Sequence, residues 1–242
     1  MKGHVRNKLV SEKTYALVAR SQASFFECIT AKARNGAYLR EIGLAKAVVM
    51  VSRLNLFWGL HWAAVPEHLT GQSDVSNFDV VIGCVDTRAG RRLIQTKVQG
   101  WRSRVAYWLD LGNAADTGQF VLGQPLNGRN RRCAERLRIA PELFPEIAEP
   151  SLERDETPSC GALEALERQE PFVNQVLAQH ALALLTRLFL HGRIDHHGAF
   201  VSVRENRVQP IPINTTLWRK MGRRGRRLIQ TEPALAARQR TQ

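Results

Sequence analysis

Apolar and polar positions along this chain switch between two periods, and the switches mark its elements. Phe78-Asp79-Val80-Val81-Ile82-Gly83-Cys84-Val85-Asp86 is an apolar run, rich in β-branched residues, that ends abruptly in a carboxylate. A run of this kind predicts a strand buried on both faces of a sheet. Thr87 to Ile94 then carries helix formers, Val105 to Asn113 reads as a second strand, and Gly118 to Gly123 as its hairpin partner. Strand, helix and strand within about thirty residues predict a βαβ unit on a parallel sheet.

Upstream, Leu44, Ala47, Val48, Val51, Leu54 and Trp58 recur at helical spacing. They predict an amphipathic helix of about four turns, which residues 59–77 join to the core strand through a short strand of their own. Ser11 to Arg34 reads as one helix capped by Ser11, although its apolar residues make no clean stripe. Downstream, Pro125, Asn127-Gly128, Pro141, Pro145 and Pro150 break residues 124–157 into a long loop, of a length that is usually functional or mobile. Phe172, Val173, Val176, Leu177, Leu184, Leu185, Leu188 and Phe189 form the wide apolar stripe of a further helix, with Gly192 as its C-terminal cap. Gly198 to Val203 and Arg207 to Ile213 read as a closing hairpin around Glu205-Asn206. From Arg219 onward the density of like charge predicts a frayed basic tail.

Composition changes this picture in one respect. The 242 residues carry a net charge of +13, which suggests a nucleic-acid partner until it is mapped. Residues 1–40 contribute +6 and residues 219–242 contribute +7, so the middle of the chain is neutral. A neutral middle is not a basic binding module; nucleic acid would meet only the ends, as a weak contact through the basic tail. Three segments follow: a divergent basic segment (1–40), an α/β domain (41–218) and a basic flexible tail (219–242). The least charged stretch, Phe172 to Thr186, is too short to span a bilayer, and the N-terminus lacks the apolar core of a signal peptide. No membrane association is expected. Cys28, Cys84, Cys133 and Cys160 are scattered without a CxxC pair, which suits reduced thiols in a cytoplasmic protein.

Candidate chemistry starts at Asp86, because ligands of open parallel sheets bind beyond the carboxyl ends of the strands. An Asp at that place is equally suited to capping the next helix. Lys46, in the first turn of its helix, opposes the helix dipole and reads either as surface charge or as a contact for an anion. Arg91 is a helix arginine, Cys84 a core thiol, and Cys160 a loop thiol beside Gly161 with no base visible nearby. Asp195-His196-His197 with His191 has metal-binding residue types, but neighbouring positions of a strand alternate faces, so a hairpin surface is the expectation.

Taken together, Ile42-Gly43-Leu44-Ala45-Lys46-Ala47, the Asp79 to Asp86 run with Arg91, and Leu109-Asp110-Leu111-Gly112-Asn113 resemble the ThiF/MoeB superfamily of ubiquitin-activating-like adenylyltransferases. Pro158-Ser159-Cys160-Gly161, the Gln169 to Asn174 segment and the closing hairpin are similar to one branch of it, the ThiF family of the PRTRC genetic system. The likeness covers residues 41–215. It implies a Rossmann-like ThiF fold, a mostly parallel sheet flanked by helices with a closing antiparallel hairpin and an incomplete N-terminal βαβ part. It also implies ATP and Mg2+ as cofactors and a ubiquitin-like protein as partner, and it leaves a homodimer open. In that chemistry the partner's C-terminal carboxylate attacks the α-phosphate of ATP to give an acyl-adenylate. By resemblance Asp86 holds the metal, Lys46 contacts phosphate, Arg91 is the arginine that follows the aspartate, and Cys160 matches a thiol that takes over the activated carboxylate.

Residues 1–40 depart from that pattern. The family opens with a strand, a GxGGxG turn, a helix and an acidic residue for the ribose, whereas residues 1–40 hold only Gly3 and Gly36 and no aspartate. Glycines serve there because backbone must approach the phosphates closely at a helix start. A shifted or wrongly started reading frame gives this picture, as does a genuine loss of activity. The expectations are therefore an impaired adenylyltransferase, a non-catalytic partner-binding scaffold of the same fold, or a basic-ended nucleic-acid accessory protein. Residues 1–40 are also expected to pack less well than the 78–85 strand.

Overall fold

The apolar run ending at Asp86 lies inside a mixed sheet that organises the molecule. The computed structural model describes residues 15–19, 45–153, 170 and 172–239, with the side chains of 15–19, 46 and 232–239 excepted. In chain order the elements are β1 (Tyr15–Ala19), α1 (Lys46–Trp58), β2 (Val80–Cys84), α2 (Arg88–Val98), β3 (Tyr107–Asn113) and β4 (Thr117–Gly123). A one-turn α3 (Ala140–Leu143), two 3-10 turns (Pro145–Ala148 and Pro150–Leu152), α4 (Val173–His191), β5 (His196–Ser202), β6 (Arg207–Pro212) and α5 (Thr215–Gln239) follow. The six strands are ordered β1-β2-β3-β4-β5-β6. β1, β2 and β3 are mutually parallel, and β4, β5 and β6 add on as antiparallel neighbours. The α/β class, the β2-α2-β3 crossover, the β3-β4 pairing and the β5-β6 hairpin match the periodicity, but the sheet is mixed rather than mostly parallel. The β3-β4 and β5-β6 connections are too short for the crossover that parallel strands need, and β5, arriving from α4, enters antiparallel to β4.

Alternation along the strands divides the core into two layers. Leu109, Phe120, Leu122, Ala199 and Val201 face α4, whose Leu177, Leu184, Leu185 and Leu188 close over them. Gly192, in the left-handed conformation at φ 65, ends α4 as expected. On the opposite face Val81 and Trp108 pack against Ile94 and Val98 of α2. Gly83 matters here, since a Cβ on it would lie 2.9 Å from the Trp108 indole nitrogen. Farther along that face, Val121 and Ile211 meet Leu137, Ala140, Leu143 and Trp218.

Several expectations are corrected. The Ser11 to Arg34 helix gives way at Tyr15–Ala19 to a strand paired in parallel with β2, whose ladder supplies hydrogen bonds that local sequence does not reveal. The expected short strand within 59–77 is absent; Gly59 turns the chain in the left-handed region at φ 63 and the backbone runs on irregularly to β2. Residues 124–153 are not an open loop. Their prolines interrupt regular structure but leave Ile139, Ala140, Leu143, Ala148 and Leu152 buried against the sheet. Asn127 and Asn130, both buried, donate to the carbonyls of Val98, Val105 and Ala106 and hold the segment in place. The packing of residues 1–14 and 20–40 lies outside the described residues.

As far as Gln239 the basic tail is helical. Asn214 Oδ1 accepts from the backbone N–H groups of Thr216 and Leu217, at 2.9 and 3.0 Å, and launches α5 across the expected boundary at 218/219. Trp218 then anchors the helix, its indole N–H donating to the Pro212 carbonyl at 3.2 Å. Gly222 allows close approach to α3, where a Cβ would stand 2.9 Å from the Glu142 carbonyl oxygen.

Candidate functional site

The parallel strand β2 delivers Val85 to the core and Asp86 to solvent. Asp86 is therefore an exposed carboxylate just beyond the carboxyl end of a central parallel strand, as its place in the run predicts. It is not the cap of α2. That role falls to Thr87, whose hydroxyl accepts from the Gly90 N–H at 3.1 Å. The Ala89 N–H is also engaged, by the Glu153 carboxylate at 3.1 Å. The start of α2 thus already has an acidic side chain where an incoming anion would bind.

Arg91 does not project beside Asp86. It is only 6% exposed, and its Nε–H lies 2.9 and 3.1 Å from the two carboxylate oxygens of Asp110, itself 1% exposed. The guanidinium also donates to the Val85 carbonyl at 2.9 Å, the Leu111 carbonyl at 3.4 Å and the Ile147 carbonyl at 3.3 Å. One side chain thus fastens the carboxyl ends of β2 and β3 to the 3-10 turn beneath them. Burial pushes the Asp110 carboxyl upward, and the neighbouring guanidinium opposes that shift. Arg91 is a brace within the fold here, because a buried charge needs its partner more than a solvated phosphate needs this cation.

Cys84 is a partly buried core thiol. Burial raises its pKa to about 12, with the Asp110 charge adding and Arg91 opposing, so it has little thiolate character. Lys46 is the first residue of α1, but its side chain lies outside the described residues, as does Cys160. The histidine expectation is corrected: His197 is fully buried, with Nδ1 3.0 Å from the Leu122 carbonyl. Because that carbonyl can only accept, Nδ1 carries the proton of the neutral ring. Among the described residues no group of three or more His, Cys, Asp or Glu side chains could hold a metal.

These positions test the fit of ATP and Mg2+. Asp86 suits one coordination position of Mg2+, which keeps water and phosphate oxygens around a single protein carboxylate. The described residues do not fit a triphosphate, because the α2 amides are engaged by Thr87 and Glu153 and Arg91 is consumed by Asp110.

No protein-family model matches the chain, and a search of curated proteins found no match. Functional inference therefore rests on the residues themselves.

Two features escaped sequence reasoning. The first is Asp110, whose signal was a carboxylate inside the strand Trp108-Leu109-Asp110-Leu111. The second is a run of exposed apolar residues at the end of α1 and beyond it. None of the described α1 side chains is buried, and Leu56 and Trp58 are 89% and 66% exposed, beside exposed Phe57, Trp62 and Val65. The amphipathic pattern predicts a helix correctly; its apolar residues are not absorbed into the core. Among the described residues no helix is long and apolar enough to cross a membrane.

Proposed function

We propose that this chain is a ThiF/MoeB-type protein with a Rossmann-like core, built to activate the C-terminal carboxylate of a ubiquitin-like partner with ATP. In this form its nucleotide chemistry is impaired and partner recognition is its main remaining capacity. The observation that carries the reading is the contrast between Asp86 and Arg91. Asp86 stands exposed at the strand end that the family uses for its metal, while Arg91 is locked onto Asp110. The absence of a GxGGxG turn from residues 1–40 supports the same conclusion. Phosphate cradles work by backbone N–H groups held in place before the ligand arrives, and losing even one such donor costs roughly 3 kcal/mol at the transition state. The scaffold part of the reading draws on the exposed apolar side chains between Leu56 and Val65, of which Phe57 and Trp58 meet edge to face, since large apolar groups left in solvent mark interaction sites.

ATP–pyrophosphate exchange tests this directly. The unmodified chain is expected to show exchange at background level. A chimera that carries a family strand, GxGGxG turn and helix ahead of α1 should gain exchange, and Asp86→Ala should remove it again. Robust exchange by the unmodified chain, abolished by Asp86→Ala, would refute impairment. A folded chimera without exchange would refute the ThiF-type reading itself.

A further inference from the structure

α5 turns the most basic stretch of the chain into an ordered surface. Arg219, Lys220, Arg223, Arg224, Arg226 and Arg227 are all exposed. At 3.6 residues per turn they share one arc of roughly 160°, along about 12 Å of helix axis. Trp218, Met221, Gly222 and Gly225 occupy the opposite arc and pack on α3 and the Pro145–Ala148 turn. The packing fixes which side faces outward. None of the six cations has an ion pair among the described residues. Among the described acids near α5, Glu142 binds Arg136 and Arg138 and Glu149 accepts from Ser151. The Glu146 carboxylate, one oxygen of it buried, lies under Gly225, on the packed arc opposite the cations.

We propose that this face of α5 binds the phosphate backbone of duplex nucleic acid, without reading sequence. Three observations select this occupant. Five of the six cations are arginine, whose planar fork matches phosphate oxygens. Leu228, at the edge of the arc, is the one exposed apolar side chain beside these cations among the described residues, and Gln230 and Thr231 continue the arc with polar groups, whereas protein interfaces have a desolvated apolar core of several residues. A membrane surface would need the apolar face of the helix to enter lipid, and here that face is occupied by the protein's own core. This contact is independent of the chemistry at Asp86.

The test is fluorescence anisotropy of a labelled mixed-sequence DNA duplex, titrated with the full chain between about 50 and about 200 mM salt. Binding should weaken steeply with salt, with a log–log slope near −4, as expected for about four to five neutralised phosphates. Arg223→Gln, Arg224→Gln and Arg227→Gln combined should lower affinity at least tenfold and flatten the slope by about 3, while the three lysine replacements keep most of both. The six side chains are solvent-exposed, so unchanged circular dichroism and melting of the glutamine variant should show that the fold is intact. Scrambling the duplex sequence should change nothing. Absence of duplex binding at low salt, or an unaltered slope in the glutamine variant, overturns the proposal. So does tighter binding to phosphatidylserine vesicles or to an acidic polypeptide, lost in the same variant.

Discussion

Asp110→Ala is expected to destabilise the protein by about 3–5 kcal/mol, the cost of leaving a buried charge without its partner. The value follows from the surroundings of Arg91. Its guanidinium is nearly sealed from water, and the three carbonyls that share it cannot supply the negative charge that Asp110 does. Alanine at 110 would leave the cation in low dielectric with only dipoles around it. Urea denaturation monitored by tryptophan fluorescence should show the midpoint falling without a large change in slope. Asp86→Ala is the internal control. As an exposed carboxylate it should shift stability by no more than about 0.5 kcal/mol, although it lies at the same strand end. Replacing both partners, Arg91→Met with Asp110→Leu, should recover much of the loss, because a buried ion pair adds little beyond what matched apolar groups provide. A loss from Asp110→Ala no larger than that from Asp86→Ala would contradict the brace. The brace also bears on function: an Arg91 variant that loses activity has to be corrected for lost fold before any contact with phosphate is inferred.

What the sequence disclosed depended on whether the deciding interaction was local. β2, α2, β3 and the β5-β6 hairpin were legible because each carries its own period and its own stop, a carboxylate at Asp86 and a turn at Glu205-Asn206. β1 was not legible. Tyr15 to Ala19 lies among lysines and arginines, and its strand character comes from pairing with residues 80–84, more than sixty positions away. The Arg91–Asp110 pair crosses from a helix to a strand, so neither residue's local context reveals it. An internal carboxylate in an apolar strand was the available clue, since buried charges are paired. α5 was misjudged because like-charge repulsion and two glycines argue against a helix. The Asn214 cap and the Trp218 anchor, which offset them, lie in the segment assigned to the hairpin and its end. Asp86 was legible as an exposed strand-end carboxylate from chain position alone, whereas Arg91, expected beside it, turns to Asp110; the side chains of Lys46 and Cys160 lie outside the described residues.

Acidification should remove about 3 kcal/mol of stability through His197 alone. The ring is fully buried, its Nδ1–H donates to the Leu122 carbonyl, and Nε2 has no partner. Trp218 stands edge-on to it, with ring centroids 5.0 Å apart, so a second proton would enter an apolar corner. Burial lowers the pKa from 6.5 to about 4, with the His196 charge adding to that shift and the Leu122 carbonyl opposing it. In the unfolded chain the ring titrates near 6.5, so between about 6.5 and about 4 the unfolded state binds more protons than the folded one. Stability from this group is complete above the upper value, falls as pH drops through the window, and levels off below about 4. Two and a half pKa units at about 1.4 kcal/mol each give roughly 3.5 kcal/mol in full, of which about 3 is lost between pH 7 and pH 4. Carboxylates titrate nearby, so the measurement is a difference: urea midpoints from pH 7 to pH 4 for the parent and for His197→Gln. The glutamine amide can keep the bond to the Leu122 carbonyl but cannot take up a proton. The two stability curves should converge by about 3 kcal/mol as pH falls, with the parent the steeper. Parallel curves would show that His197 is not held neutral, and that the contact with Trp218 tolerates charge.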